Sequence, residues 1–210
     1  RCVFDMDEQD DCESATVYLN ILHDLRDQHR ITAVVVPHIV YFLCVAVNFN
    51  RDSWSIIQSL LESAFRFTCI DALITTLEHP LVTPTDANNA NLIGYIRRGA
   101  VFFTSMALWG GDRVEQANVY WSSALQSLRH AATDRDLAVT TETVLSVQRL
   151  VSGYGESLTS EWVYILQLLE DLRMSIETST NLPNTRLIQL TESPEGKHIS
   201  SPRLCVLTLA

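Results

Sequence analysis

The sequence predicts an all-α protein built as an α-solenoid of HEAT/armadillo-like helix pairs. Three observations carry that expectation. Apolar residues recur at helical spacing in segment after segment, and period-two alternation appears only weakly, in the last ten residues. With 7 glycines and 6 prolines among 210 residues, the chain is poor in turn formers, as long helices require. Helix pairs fall about 40 residues apart, the length of a HEAT or armadillo unit. No identity recurs between pairs, and a globular bundle is the alternative.

The elements follow in order. Residues 1–13 read as an acidic, disordered end, because Asp5, Asp7, Glu8, Asp10, Asp11 and Glu13 crowd it. The helical segment spans 14–178. Its first helix runs from Ser14 to about Asp27, with Tyr18, Ile21, Leu22 and Leu25 on one face. The second runs from Pro37, a residue suited to a first helical turn, to about Asn48. The apolar run 31–47 around it is short for a membrane span and is interrupted by Pro37 and His38.

Asp52 or Ser53 is placed to cap a third helix with the stripe Trp54, Ile57, Leu61, Ala64 and Phe65. A fourth carries Ile70, Leu73, Ile74 and Leu77 and ends at Pro80. The polar stretch from Thr83 to Asn91 forms the longest internal loop.

The fifth helix, from about Asn91 to Trp109, is the most informative. Ile93, Ile96, Ala100, Phe103 and Ala107 form its stripe, yet Val101, Phe102 and Leu108 are apolar outside it. A helix apolar nearly all round needs neighbours on more than one side. Gly99 costs about 1 kcal/mol relative to alanine in a helix interior, so close approach of an adjacent helix is its expected reason. Gly110-Gly111 is expected to stop the helix in a left-handed conformation.

The sixth helix shows Trp121, Ala124, Leu125, Leu128 and Ala132. The seventh starts near Asp136, turns Ala138, Val144, Leu145, Leu150 and Val151 inward, and stops at Gly153 and Gly155. The eighth carries Trp162, Ile165, Leu166, Leu169, Leu172 and Ile176, opposite a polar face of Glu161, Gln167, Glu170, Asp171 and Arg173. Residues 179–210 are rich in Thr, Asn, Pro and Ser and read as an irregular, divergent tail. The chain opens on Arg1 and closes on an apolar run, which suggests a piece of a longer protein.

A net charge of −10 gives no basic footprint for nucleic acid. Five cysteines in no C-x-x-C spacing, without a signal peptide or an Asn-x-Ser/Thr sequon, point to a reducing, cytoplasmic setting. Cys44 and Cys69 read as small buried hydrophobes. The histidines His23, His29, His38, His79, His130 and His198 show no H-E-x-x-H and read as ordinary core or surface residues. No nucleophile elbow or phosphate loop occurs, and no carboxylate pair has a reason to differ in pKa. The expectation is therefore no catalytic residue, no cofactor and no metal site. Trp54, Trp121 and Trp162 read first as core, second as partner anchors. Arg97-Arg98 could bind an anion, pair with Asp112 or Glu115, or face water.

The segment Arg98-Gly99-Ala100-Val101-Phe102-Phe103, followed by Met106-Ala107-Leu108-Trp109-Gly110, resembles the N-terminal helical-repeat region of the tuberin family, the GTPase-activating subunits of the tuberous sclerosis complex. Pro37-His38-Ile39, Leu43-Cys44, Val47-Asn48, Trp54 and Leu60-Leu61 are similar to the repeat upstream. Glu142-Thr143-Val144-Leu145-Ser146-Val147, Arg149-Leu150, Trp162 and Ile165-Leu166 are similar to those downstream. The resemblance covers roughly residues 15–178, and the segment after Thr180 departs from it. It implies a non-catalytic scaffold that holds hamartin, a coiled-coil partner. The assembled complex would stimulate GTP hydrolysis by the small GTPase Rheb and restrain TOR signalling, in the cytoplasm and peripherally at lysosomal membranes. The family's catalytic asparagine helix has no counterpart in this sequence. An unrelated HEAT-like adaptor is the other scaffold reading.

Overall fold

The computed structural model describes residues 8–28, 30–79, 87–110, 116–133 and 136–180. Among these the chain is helical, with no strand. The α-helices are α1 (Glu8–Asp27), α2 (Val36–Ala46), α3 (Ser53–Glu62), α4 (Arg66–Glu78), α5 (Ala87–Trp109), α6 (Trp121–Ala132), α7 (Leu137–Tyr154) and α8 (Glu161–Thr180). Short 3-10 turns lead into α6 and out of α7.

The helices stack in two rows. In one, α5 lies between α2 and α7; in the other, α6 lies between α4 and α8. α4 also packs on α2 and α5, so the rows share one core, while α1 touches mainly α3.

The physical reason for the first row is legible at α5. Ile93, Ile96, Ala100, Phe103 and Ala107 are buried, and so are Val101 and Leu108 off the stripe. Two sides of the helix are therefore withdrawn from water, against α2 and α7. Gly99 is where α2 comes closest. A Cβ there would lie 2.6 Å from the carbonyl carbon of Cys44 and 2.7 Å from its Cα, with the carbonyl oxygen nearer still. Only glycine allows this crossing.

Polar pins fix the register of each junction. The Asn48 side-chain amide donates to the Tyr95 carbonyl at 2.9 Å, tying the end of α2 to α5. Trp109 Nε1 donates to the Ser146 carbonyl at 3.0 Å, tying α5 to α7. Trp121 Nε1 donates to the Leu108 carbonyl at 3.1 Å, joining α6 to the end of α5. In the second row Ser127 Oγ donates to Glu78 at 2.7 Å, and Arg129 Nε donates to Asp171 at 2.6 Å. Each pin satisfies a buried or half-buried polar group that would otherwise weaken the core.

Several sequence expectations need correction. α1 begins at Glu8, so the acidic residues from Glu8 to Glu13 are helical; negative charge is favoured at a helix N-terminus. Among its described side chains Ala15 and Leu19 are buried, while Tyr18 and Ile21 are exposed. α5 begins at Ala87, inside the segment expected to be a loop. Asp52 precedes α3 without a capping side-chain bond; instead Asn50 Oδ1 accepts from the Asp52 amide at 2.9 Å, and Ser53 Oγ donates to the Asn50 carbonyl. α3 ends at Glu62, which leaves Ala64 and Phe65 in the following turn. No described glycine has a positive φ. Gly110 thus does not stop α5 through a left-handed turn; its backbone folds back so tightly that a Cβ would sit 2.7 Å from the Met106 carbonyl oxygen. Gly153 lies within α7, and Gly155 continues it as a 3-10 turn. Gly111 and residues 181–210 lie outside the described residues, as do 1–7.

α7 is rotated from its predicted face. Val139, Thr140, Glu142, Thr143, Ser146, Val147 and Leu150 point inward, whereas Ala138, Val144 and Leu145 are exposed. Asp136 does cap it, accepting from the amides of Ala138 at 2.8 Å and Val139 at 3.4 Å. The Asp136 carboxylate lies against Gly94 of α5, where a Cβ would collide with it.

Candidate functional site

Two features stand apart from the packed rows. The first is the outer side of α7 and α8. These are the last helices of their rows, and no described residue covers their far faces. On α7, Leu137, Val144 and Leu145 share one exposed face. On α8, Trp162, Val163, Leu166 and Met174 do the same, with Val163 and Leu166 each 57% exposed.

The inward side of α8 is carried by Ile165, Leu168 and Leu172. Trp162 is therefore not a core residue, unlike Trp121, and unlike Trp54, which stacks on Phe103 with centroids 6.1 Å apart. Of the expected polar face, Gln167 and Asp171 turn toward α6 and hold Arg129, while Glu170 and Arg173 remain outside. Glu170, Arg173 and Glu177 form a surface ion network beside Met174. The Arg173 guanidinium holds the Glu170 carboxyl below the usual carboxylate range.

The second feature is a small cleft where α2, its link to α3, α5 and α7 meet. It is lined by Val47, Asn48, Arg51, Arg98, Gly99, Phe102 and Glu142. Glu142 is buried and pairs with Arg149 at 3.2 Å; Arg149 also donates to Ser105 Oγ at 3.1 Å. The two basic residues singled out in the sequence are thus treated differently. Arg98 reaches this cleft, and Asp112 and Glu115, the carboxylates proposed for it, lie outside the described residues. Nothing in the sequence indicated that Arg51 and Arg149 come together, since their meeting depends on the α2–α5–α7 stack.

Cys44 and Cys69 are buried free thiols. Burial pushes Cys69 up to about 12, and burial with the neighbouring Cys69 raises Cys44 well above the ordinary thiol value. Both are packing residues rather than nucleophiles. Of the histidines, His38, His79 and His130 are exposed and His23 is half-buried; His29 and His198 lie outside the described residues. Among the described residues no cluster of three or more His, Cys, Asp or Glu side chains could hold a metal, and no helix is long and apolar enough to cross a membrane. The run 31–47 contains only the short helix α2.

A family model described as "Domain of unknown function (DUF3384)" matches residues 28–203. The match starts just after α1, the helix least engaged with the rows, and runs past α8.

Proposed function

The chain belongs to the DUF3384 family; on the sequence resemblance and the stacked helices we propose that it is a non-catalytic scaffold segment of a tuberin-like protein. Its two helix rows are the successive layers of a HEAT/armadillo-like α-solenoid. The segment binds hamartin. The complex so formed stimulates GTP hydrolysis by Rheb and restrains TOR signalling, in the cytoplasm and at lysosomal membranes. The GTPase-activating chemistry belongs to a domain outside these residues, so this chain contributes surface and not catalysis.

One observation carries the reading: the uncovered apolar faces of α7 and α8. Stacked helices present long surfaces, and an amphipathic helix docks by laying its apolar stripe against such a face. Val144 and Leu145 on α7, with Trp162, Val163 and Leu166 on α8, supply anchors of the right kind. The tryptophan is the residue type that most often dominates such interfaces.

Co-purification of the full chain with the hamartin coiled coil tests the proposal. Retention of the coiled coil by a chain with a native helical spectrum is the expected result. No retention by that folded chain would leave the reading of an unrelated HEAT-like adaptor. Rheb GTP hydrolysis with this chain alone should stay at its intrinsic rate, and stimulation would refute the non-catalytic assignment.

A further inference from the structure

Two guanidinium groups approach one phenyl ring, and a third lines the cleft beside it. Arg51 stands over Phe102 with its Cζ 4.8 Å from the ring centroid, and Arg149 approaches the same ring at 6.0 Å. Arg98, one helical turn before Phe102, lines the cleft with Arg51. Among the described residues one carboxylate lines the cleft, and it is already engaged: Glu142 is paired with Arg149. Arg51 and Arg98 make no ion pair with any described residue. Glu142 and Arg149 offset one another, so among the described residues Arg51 and Arg98 leave two uncompensated positive charges at the cleft, in a chain whose net charge is −10.

We infer that this cleft binds a phosphate monoester carried on a polypeptide side chain, a phosphoserine or phosphothreonine. Charge balance selects the ligand: a phosphomonoester carries about −1.5 to −2 at pH 7, against at most −1 for a carboxylate. Geometry selects the donors. Guanidinium groups offer paired N–H bonds that match phosphate oxygens. A cation–π contact with the Phe102 ring holds the Arg51 guanidinium at the cleft. The cleft is small and lined by one ring, which leaves no room for a nucleotide base and sugar. The strongly negative remainder of the chain repels an anionic bilayer, which favours a protein source over a lipid one. The assignment stands independently of the hamartin reading.

The test uses the full chain and its arginine Nε–H resonances in NMR titrations. The probes are a short phosphoserine peptide, the same peptide with serine, inorganic phosphate, and phosphatidylcholine vesicles doped with a phosphoinositide. The phosphopeptide and inorganic phosphate should shift the Arg51 and Arg98 signals, and the serine peptide should not. The double variant Arg51→Gln, Arg98→Gln removes no ion pair and should keep its fold, while phosphopeptide affinity falls at least about tenfold. Arg173→Gln, on the outer face of α8, should leave that affinity unchanged. Equal affinity in the double variant, or no response to the phosphopeptide, would overturn the site. A response to the vesicles without one to the phosphopeptide would overturn the protein source.

Discussion

At Gly99 a single hydrogen in place of a methyl sets the distance between two helices. Gly99→Ala gains about 1 kcal/mol of helix propensity but drives a Cβ into the Cys44 backbone. Overpacking of that kind costs about 1–3 kcal/mol, and backbone cannot rotate away as a flexible side chain can. The variant should lose stability in urea unfolding. Gly153→Ala is the control: it sits inside α7 with nothing within 4 Å of its would-be Cβ. That substitution should be neutral or stabilise by up to about 1 kcal/mol. The glycine at the helix crossing was legible in the sequence because an interior glycine without a turn needs a packing reason. The conformations of Gly110 and Gly155 were not, since glycine permits several ways of ending a helix.

The thiols make a second prediction at this scale. Burial raises Cys69 and Tyr41 to about 12, against ordinary values of 9.0 and 10.0, and Cys44 well above 9.0. Above pH 9 the unfolded chain loses these protons while the folded chain keeps them. Stability therefore falls as pH rises from about 9 toward 12, at up to about 1.4 kcal/mol per pH unit for each group. Unfolding midpoints measured between pH 8 and pH 11 should drop, and iodoacetamide should reach Cys44 and Cys69 only when the fold opens.

At the scale of the element, α7 shows why apolar count misjudges a face. Val144 and Leu145 suggested an inward side, yet Val139, Thr143, Ser146 and Val147 are buried instead. Small side chains let the helices approach closely enough for Trp109 to reach the Ser146 carbonyl. Threonine can be buried there because Thr143 Oγ1 donates to the Val139 carbonyl one turn back, at 2.8 Å. The sequence pattern of α5 announced its burial because both of its sides are apolar. That of α7 did not, because its second apolar stripe faces away from α5. Trp109→Phe removes the indole N–H that donates to the Ser146 carbonyl and leaves a smaller ring in a buried place. It should cost about 1–3 kcal/mol in chemical denaturation. A loss no larger than that of a surface substitution would mean that the pin does not hold α5 to α7.

At the scale of the whole molecule, α5 and α6 have neighbours on both sides, whereas among the described residues α7 and α8 are packed on their inner faces alone. The all-helical architecture and most buried stripes were readable from periodicity. The cleft between α2, α5 and α7 was not, because Arg51, Arg98 and Glu142 are distant in sequence and meet only through helix stacking. Likewise, Trp162 looked like core until the rotation of α8 placed Leu168 inside in its stead.

The central claim is that this scaffold docks hamartin through the uncovered faces of α7 and α8. Isothermal titration of the full chain with the hamartin coiled coil tests it most directly, with Val163→Asp and Leu166→Asp as variants on an exposed face that the fold does not use. The account predicts saturable binding by the native chain and a loss of at least about tenfold in the double variant, with the helical spectrum unchanged. Absence of binding by the folded native chain, or equal affinity in the variant, would contradict it.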